Sequence, residues 1–490
     1  MMPKKVLAFD LGASSGRVIA GSFDGSKLTL EELHRFSNDP VTLGDTFYWD
    51  FQRLIYNIKL GIQKASSLSC ESMGVDTWGV DFGLIDKNGR LVDNPVHYRD
   101  ARNIPMPEEV FKKVPAERVY ASTGIQIMDI NTIFQLYYIS TRSPELIDMT
   151  DSMLFTPDLI NYYLSGAKVS EYSIASTSQM LDANTRDWDR SLLSDLGIKQ
   201  HILRDIVPCG TKLGPLSAKV AEELNVKPLD VIATAGHDTA SAVAAVPVKN
   251  KTGNWAYLSS GTWSLLGMEL DRPLINDETF DANFTNEGGV GNTIRFLKNI
   301  IGLWLMQESR RQWQREGSDM SFKDIDVLTA ASKPLQRFID PDYPEFVRPG
   351  NMPQRIADFC AATNQPLPET KGDISRTITE SLALKYRRNI EQLERLTGKK
   401  IDVLHIIGGG CKDKLLCEYT ACATGKTVVA GPTEATATGN ILTQLITDGC
   451  FKDVAEAREC VERSYPVTVY EPKNAAEWDD AYNRFVKIIK

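Results

Sequence analysis

The sequence lacks the features that mark secreted, membrane-spanning, zinc-binding and nucleic-acid-binding proteins. Its eight cysteines form no Cys-x-x-Cys pair and are scattered over 490 residues, which argues against a zinc site and is typical of reduced thiols in a cytoplasm. No apolar run approaches the roughly 18 residues of a membrane span, and the N-terminus contains no signal-peptide core. The formal net charge of −9 argues against a surface for nucleic acid or anionic membranes. The sequence does not indicate the oligomeric state.

What the sequence does contain is the alternation of an α/β protein. Short strand-like runs alternate with helical patterns nearly throughout the chain. At 490 residues the chain is too long for one ordinary hydrophobic core, so we expect two domains. We place the boundary between residues 245 and 246, just before the polar, turn-rich stretch 247–254.

Two glycine-containing hairpins lie half a chain apart. The first occupies Val6–Phe23, with a predicted turn over Asp10–Arg17, and a third strand after it predicts an antiparallel opening meander. The second occupies Ala256–Met268. Aligned without gaps, Gly12 falls on Gly261, which indicates an internal duplication of one structural unit. Two unrelated glycine hairpins are the alternative.

Each hairpin carries groups suited to phosphate. The backbone N–H groups of the first turn, with the hydroxyls of Ser14 and Ser15, resemble an anion-binding concavity, and Arg17 adds positive charge. Asp10, at the end of the first strand, is placed to hold Mg²⁺, usually through waters. In the second hairpin, Thr262 is the natural side-chain donor to a terminal phosphate. Taken singly, each hairpin is more simply interpreted as an ordinary surface turn.

A run of three glycines predicts a third site element. The apolar strand Leu404–Ile407 leads into Gly408–Gly410 and then into a helical pattern. Consecutive glycines let a flat ligand lie against the backbone, so this turn suits a nucleotide, with a plain strand-to-helix turn as the alternative. The dinucleotide fingerprint of nicotinamide enzymes would need glycine at position 413, which is Asp413.

Two further segments combine carboxylates with unusual neighbours. A predicted strand ends at Gly236, and the residues that follow, 237–239, begin a helix of small residues, where Asp238 is either a helix-capping residue or a catalyst. The segment Gly74–Phe82 places Trp78 and Gly79 between two aspartates, a combination that suits a sugar. A core tryptophan with surface aspartates is the alternative for that segment.

Together these elements resemble the FGGY family of carbohydrate kinases, and the resemblance covers nearly the whole chain. The wider family usually has threonine after the glycine of its first phosphate loop, whereas Ala13 here is typical of the branch that acts on L-rhamnulose. The stretches that carry the resemblance are Asp10–Arg17, Asp76–Phe82, His237–Val243, Tyr257–Leu265, Thr285–Gly289, Leu297–Leu305 and His405–Cys411.

The resemblance implies a fold and an activity. The fold is the duplicated actin/hexokinase-like (ribonuclease H-like) ATPase fold, an α/β fold with two lobes around a central cleft. Residues 1–245 would carry the sugar site, the first phosphate loop and the catalytic aspartate, and residues 246–490 the second phosphate loop and the adenosine site. The activity is ATP-dependent phosphorylation of the 1-hydroxyl of a ketose, with L-rhamnulose favoured and L-fuculose the close alternative. An actin-fold ATPase without a sugar acceptor is a further alternative.

The resemblance also implies roles for individual residues. Asp238 would be the general base, and Asp10 would organise Mg²⁺. The residues implied to contact ATP are Ala13, Ser14, Ser15, Gly16, Arg17, Thr262, Gln307 and Gly409. The residues implied to contact the sugar are Gly79, His237, Asp238, Thr239 and Asn299.

Overall fold

A computed structural model describes residues 3–248 and 254–489, so most of the polar stretch at the expected boundary, 249–253, lies outside the described residues. The chain divides into two compact units. Unit 1 comprises the described residues of 1–251, 269–296 and 435–465. Unit 2 comprises those of 252–268, 297–434 and 466–490. None of the described helices is long and apolar enough to cross a membrane.

The elements alternate along the chain as the sequence pattern predicts. The strands are β1 (Lys4–Leu11), β2 (Ser15–Phe23), β3 (Leu28–Ser37), β4 (Val41–Leu43), β5 (Thr46–Tyr48), β6 (Ser72–Thr77), β7 (Phe82–Ile85), β8 (Ser152–Phe155), β9 (Ser170–Glu171), β10 (Leu181–Asp182), β11 (Asp187–Trp188), β12 (Ile206–Val207), β13 (Thr211–Pro215), β14 (Asp230–Ala233), β15 (Trp255–Ser260), β16 (Trp263–Leu270), β17 (Thr285–Gly288), β18 (Ile294–Ile301), β19 (Val403–Ile407), β20 (Thr427–Ala430) and β21 (Thr468–Tyr470).

The α-helices connect and cover these strands. They are α1 (Phe51–Lys64), α2 (Met106–Phe111), α3 (Ala116–Thr123), α4 (Thr132–Arg142), α5 (Pro144–Met149), α6 (Thr156–Ser165), α7 (Tyr172–Ser176), α8 (Arg190–Asp195), α9 (Ala218–Leu224), α10 (Asp238–Ala244), α11 (Asp277–Asp281), α12 (Trp304–Arg315), α13 (Phe322–Ala331), α14 (Met352–Ala362), α15 (Lys371–Thr397), α16 (Lys414–Thr424), α17 (Ala435–Thr447), α18 (Val454–Ser464) and α19 (Ala475–Phe485).

The first large sheet has six strands in the order β13-β14-β6-β1-β2-β3. β1, β2 and β3 form the predicted antiparallel meander, while β6 and β14 run parallel to β1. The predicted turn over Asp10–Arg17 is too long, because Asp10 pairs with Arg17 and Leu11 pairs with Gly16 across the hairpin. The pairing of β1 with β2 therefore continues beyond the apolar run of β1, and the loop between the two strands is confined to residues 12–14. The strand expected to end at Gly236 ends earlier, at Ala233.

The strand order of the first sheet recurs in the second. The second large sheet has the order β17-β18-β16-β15-β19-β20-β21. Its hairpin β15–β16 is antiparallel, and β19 and β20 continue parallel to β15. The series β3-β2-β1-β6-β14 thus matches β18-β16-β15-β19-β20, and each series ends with one more antiparallel strand, β13 or β21. The predicted duplication is therefore confirmed at the level of strand order.

Helices cover both faces of the first sheet. α1 is amphipathic: Phe51, Leu54, Ile58 and Ile62 recur at helical spacing and pack, with apolar residues of α6 and α9, on one face. α10 and α17 lie against the other face, on β1 and β6. A strand covered on both faces reads as a continuous apolar run, and the central residues of β1 are accordingly fully buried.

The contact between α10 and α17 depends on one glycine. A Cβ atom at Gly439 would lie 1.7 Å from the backbone oxygen of Ser241. No real contact is that short, and the obstructing atom belongs to the backbone of α10, so it cannot turn aside. The sequence Ala-Thr-Gly-Asn of α17 therefore allows the two helices to approach closely, and this approach places α17 against the first sheet.

We predict that Gly439→Ala lowers the free energy of unfolding by about 3 kcal/mol or more, because the two helices must separate to admit the methyl group. Urea unfolding followed by circular dichroism measures the loss. Gly61→Ala in α1 is the matched comparison, because its new Cβ would lie 2.5 Å from a side-chain methyl of Val18, which has more freedom to adjust. Equal stability of Gly439→Ala and the unaltered protein would contradict the close approach described here.

Candidate active site

The first glycine hairpin is tied down at its loop. The N–H of Gly12 donates to the backbone oxygen of Ser15 at 2.9 Å, and Asn38 contacts the loop twice, at the oxygens of Gly12 and Ser14. Ala13 and Ser14 occupy the loop, while the other residues implied to bind ATP, 15–17, lie on β2. Gly16 is buried, because its Cα lies directly under the ring of Phe36.

Three carboxylates of unit 1 influence one another beside this hairpin. Asp10 is buried and forms an ion pair with Arg17. Asp76 lies opposite Asp10 in the parallel pair of β1 and β6. Burial raises the pKa of Asp76, and the negative charges of Asp10 and Asp238 raise it further. The three side chains are therefore close enough to compete for positive charge and for protons.

Asp10 and Asp76 fit a magnesium ion that arrives with a nucleotide. One oxygen of Asp76 accepts from the amide of Asn440 at 2.6 Å, while the other, Oδ1, is buried and has no hydrogen-bond partner among the described residues. The described part of the chain contains no group of three or more metal-ligating side chains. Mg²⁺ bound to ATP takes most of its ligands from phosphate and water, so one or two carboxylates suffice.

The turn before α10 is held from two sides. On one side, Thr77 of β6 donates from its backbone to the oxygen of Gly236 at 2.8 Å. On the other, the N–H of Gly236 donates to the Glu171 carboxylate at 2.9 Å, and the N–H of His237 donates to the hydroxyl of Ser173 at 3.2 Å. Glu171 is buried, and both of its oxygens are engaged by donors of its own segment as well. The start of α10 is therefore rigidly placed.

The His237 imidazole lies beside two of the other residues implied to bind the sugar, Gly79 and Asp238. Its Nε2 is 3.5 Å from Oδ1 of Asp238, and a Cβ atom at Gly79 would lie 3.4 Å from the same nitrogen. Its Nδ1 lies 3.0 Å from the Arg295 guanidinium and 3.3 Å from the Glu287 carboxylate. The structure thus brings Gly79, His237 and Asp238 together. Only glycine at position 79 leaves open space beside Nε2.

Asp238 is the first residue of α10, and Thr239 donates to its Oδ1 at 3.1 Å. A helix N-terminus favours the ionised carboxylate. Even so, burial raises the pKa of Asp238 and outweighs the opposing effects of His237 and Thr239. Its side chain keeps 30% of its surface accessible, so the carboxylate is reachable although its surroundings are mostly protein. A reachable carboxylate with a raised pKa is suited to accept a proton.

In unit 2, the second hairpin meets the start of α12. Thr262 donates from its hydroxyl to the side-chain oxygen of Gln307 at 3.4 Å. The backbone N–H groups of Leu303 and Trp304 donate to the oxygens of Gly261 and Thr262. The two residues implied to lie on the nucleotide side, Thr262 and Gln307, are therefore neighbours.

The two hairpins differ in the length of their loops. The last pair of the second hairpin, Ser260 and Ser264, encloses the three residues 261–263, whereas the last pair of the first, Leu11 and Gly16, encloses the four residues 12–15, which are the loop 12–14 and Ser15 of β2. The gapless alignment is therefore right at the two glycines and wrong by one residue beyond them. The position of each loop depends on which residues of the two strands pair with each other, and the sequence pattern does not reveal this pairing.

The three glycines after β19 serve different purposes. Gly408 has φ +82°, a conformation that favours glycine, and a Cβ atom at Gly410 would lie 2.0 Å from the hydroxyl of Ser260. By contrast, no heavy atom of the described residues lies within 4 Å of the position of a Cβ atom at Gly409. Two of the glycines are thus required by backbone shape and by packing on the second hairpin, and Gly409 borders open space. Such space fits the implied contact with adenosine.

The remaining residue implied to bind the sugar, Asn299, lies half-buried on β18 in unit 2. Gly79, His237, Asp238 and Thr239 belong to unit 1. The sugar-binding set expected from the sequence is therefore distributed over both units.

Asp81 helps to position the backbone beneath Gly79, and its carboxylate is not available to bind a sugar. Its Oδ2 accepts from the indoles of Trp49 and Trp78, at 2.6 and 2.9 Å, and from the backbone of Tyr98, while Oδ1 accepts from Gln135. The Asp81 carboxylate is fully buried, and burial raises its pKa to about 6. The interpretation of Trp78 and Asp81 as sugar contacts is therefore wrong, because both side chains are used to shape the backbone beneath Gly79.

We predict a pH-dependent contribution of Asp81 to stability. Raising its pKa from 3.8 to about 6 means that the folded state holds the proton more tightly than the unfolded state. The resulting stabilisation, roughly 3 kcal/mol, is complete below pH 4 and is lost as the pH rises through about 6. Urea unfolding of the unaltered protein and of Asp81→Asn at several pH values measures it. A stability difference between the two that does not change with pH would contradict this assignment.

Four buried residues of this site were not identified from the sequence as site residues. Glu171 supports the turn before α10, and Asn440 donates a hydrogen bond to Asp76. Glu287 and Arg295 contact His237. In the sequence, only the family resemblance marks the segment 285–289. Arg295 is a charged residue within the otherwise apolar start of β18, which is a signal in the sequence, whereas Glu287 lies in the polar strand β17, which gives no such signal.

Comparison with protein families identifies both halves of the chain. The family described as the FGGY family of carbohydrate kinases matches with its N-terminal domain at residues 5–245 and with its C-terminal domain at residues 256–447. A rhamnulokinase of Bacteroides thetaiotaomicron is 43% identical over 493 residues, which cover 100% of each chain. A rhamnulokinase of Bacillus subtilis is 39% identical, with 95% of each chain covered.

Solved structures of sugar kinases share the fold. A xylulose kinase from Rhodospirillum rubrum superposes with a TM-score of 0.80 at 15% identity, covering 99% of this chain and 98% of the other. A glycerol kinase from Plasmodium falciparum, solved with ADP, gives a TM-score of 0.76 at 14% identity and covers 100% and 99%. At these identities the likeness concerns the fold alone, and it confirms the expected two-domain α/β architecture.

Proposed function

Since this chain belongs to the FGGY family of carbohydrate kinases and is therefore a sugar phosphotransferase, we propose that it transfers the γ-phosphoryl group of ATP to the 1-hydroxyl of L-rhamnulose. The observation that supports this sugar is the similarity to rhamnulokinases over the full length of the chain. L-Fuculose is the close alternative, because it carries the same terminal methyl group and differs from L-rhamnulose only in the configuration at one carbon. In this proposal the product, L-rhamnulose 1-phosphate, belongs to rhamnose degradation.

On the nucleotide side, we assign the two hairpins and the glycine turn to ATP. Phosphoryl transfer requires alignment of the reacting atoms and stabilisation of the negative charge that spreads over the phosphoryl oxygens. Thr262, with Gln307 beside it, is suited to hold the terminal phosphate, and Gly409 leaves space for the adenosine. The first loop and its strand supply the remaining donors, Ala13, Ser14, Ser15, Gly16 and Arg17.

Asp10, with Asp76 beside it, would hold Mg²⁺, which supplies positive charge to the phosphates when it is bound. Arg17 neutralises Asp10 in the ion pair described above. In the proposed complex Arg17 turns from this carboxylate to a phosphate oxygen, since both partners are anionic and a guanidinium binds either. The first hairpin would then be the metal-linked one of the two.

On the sugar side, Asp238 accepts the proton of the 1-hydroxyl as that oxygen attacks the γ-phosphorus. Its accessible surface allows contact with a hydroxyl, Thr239 keeps its carboxylate oriented, and His237 lies beside it. Gly79 leaves room for the sugar beside His237, and Asn299 is assigned a contact from unit 2. In this division of labour, residues 1–245 supply the base and the first phosphate loop, and residues 246–490 supply the second loop and the adenosine site.

We predict that Asp238→Asn lowers kcat by at least about 10²-fold, because general-base help is worth roughly 10²–10⁴ in rate. ATP affinity, measured by calorimetry, should change little, because Asp238 does not contact the nucleotide in this proposal. Asp230→Asn, which alters a half-exposed aspartate of β14 in the same unit, is the matched control and should retain full activity. Near-normal turnover of Asp238→Asn would rule out its role as the base.

A panel of ketoses tests the substrate. We predict that ATP consumption depends on an added ketose and that kcat/KM is highest for L-rhamnulose, lower for its epimer L-fuculose, and lower by up to about 10²-fold for a ketose that carries a hydroxyl on the terminal carbon. Coupled detection of ADP over a concentration series of each sugar gives these values. A higher kcat/KM for L-fuculose would reassign the substrate within the same family. ATP hydrolysis that is independent of every ketose would support a non-metabolic ATPase.

A further inference from the structure

Arg295 is a buried charge next to the sugar-binding histidine. It lies on β18 with no accessible side-chain surface, and its Nε donates to the backbone oxygen of Gly288 at 2.9 Å. A guanidinium stays charged inside a protein, so its burial is costly unless other groups compensate it. Glu287 supplies the compensating charge at 3.1 Å from Nη2. The same Nη2 lies 3.0 Å from Nδ1 of His237, and the contacts with Gly288 and Glu287 fix the geometry of this approach on the arginine side.

This contact determines which nitrogen of His237 carries the proton. A guanidinium has only donors, so Nδ1 of His237 must accept with its lone pair. In a neutral imidazole the proton then lies on Nε2. The Glu287 carboxylate, which would favour a proton on Nδ1, is farther from that nitrogen, at 3.3 Å, and lacks the alignment of a hydrogen bond. Its role is to balance the charge of Arg295.

The other nitrogen of the ring faces the space assigned to the sugar. Nε2 is 3.5 Å from Oδ1 of Asp238, which is too long for a strong hydrogen bond and leaves the donor available. The missing side chain at Gly79 opens the same space, since a Cβ atom there would lie 3.4 Å from Nε2. A hydrogen carried by Nε2 therefore points to where an oxygen atom of the substrate can accept it, close to the carboxylate of Asp238.

We infer that Arg295 is a positioning residue that holds His237 in the Nε2–H tautomer, so that His237 donates a hydrogen bond to a carbonyl or hydroxyl oxygen of the sugar next to Asp238. The tautomer rests on the geometry of unit 1 alone. The identity of the acceptor as a sugar oxygen rests on the proposed function. A substrate that lacks this oxygen leaves a buried donor unpaired, so the contact selects for sugars that carry an acceptor at that position.

The tautomer can be observed directly in the unaltered, full-length protein. The chain contains five histidines, so long-range ¹H–¹⁵N spectra of deuterated protein with ¹⁵N-labelled imidazoles are simple, and His237→Asn assigns the signals of position 237. We expect an unprotonated Nδ1 and a protonated Nε2 for His237 in the absence of substrate. A protonated Nδ1 would overturn the inference, and this outcome does not depend on whether the protein phosphorylates any sugar.

Kinetics separate positioning from general destabilisation. We expect Arg295→Met, which keeps most of the side-chain volume, to raise KM for the preferred ketose at least about tenfold, with a smaller change in kcat, and to abolish the preference for Nε2–H. Arg376→Met removes a mostly buried arginine that is also paired with a glutamate, in unit 2, and should change neither the KM nor the tautomer. Equal effects of the two substitutions, or an unchanged tautomer in Arg295→Met, would overturn the inference. If Arg295→Met does not fold, the spectrum of the unaltered protein decides.

Discussion

The close contact between α10 and α17 is the constraint on which unit 1 depends. With no side chain at Gly439, the backbone of α17 lies directly against that of Ser241. The same approach brings Asn440 to Asp76 and Gln444 to the backbone of Leu7 and the hydroxyl of Ser72. One helix, contributed by a segment more than 350 residues after β6, therefore completes the hydrogen bonding of the central strands of the first sheet.

This packing buries charged side chains, and their burial changes the pKa values of carboxyl groups in the candidate site. Burial and the negative charge of Asp10 raise the pKa of Asp76. Burial also raises the pKa of Asp238, although this residue begins a helix. In each case desolvation is the largest cause, so the enclosure of the site determines proton affinity more than any single neighbour does. The compensating groups, Arg17 for Asp10 and Arg295 for Glu287, are cations that keep the acidic groups compatible with a folded core.

The two duplicated hairpins have different surroundings. Both follow the first strand of a sheet with the same strand order, and both begin their loop with glycine. The first hairpin faces carboxylates of its own sheet, whereas the second is joined to α12 and lies against the glycine turn after β19. The difference arises from what packs on each loop, because the strands themselves are similar. The different surroundings, and the loops that differ by one residue, support the proposed metal-linked role of the first loop and the proposed phosphate- and nucleotide-linked role of the second.

The sequence by itself determined the features that contiguous residues encode. The antiparallel opening meander, the two glycine hairpins, the helix that begins at Asp238 and the strand–glycine–helix segment around Gly409 all follow from local apolar patterns and turn residues. Tertiary structure alone decided the positions of Glu171, Asn440, Glu287 and Arg295, and the membership of 269–296 and 435–465 in unit 1. It also reversed the interpretation of Asp81, whose oxygens are taken by two indoles. The physical reason is that turns and periodicity depend on neighbours along the chain, whereas burial, charge compensation and close helix contacts depend on residues that meet only after the chain has folded.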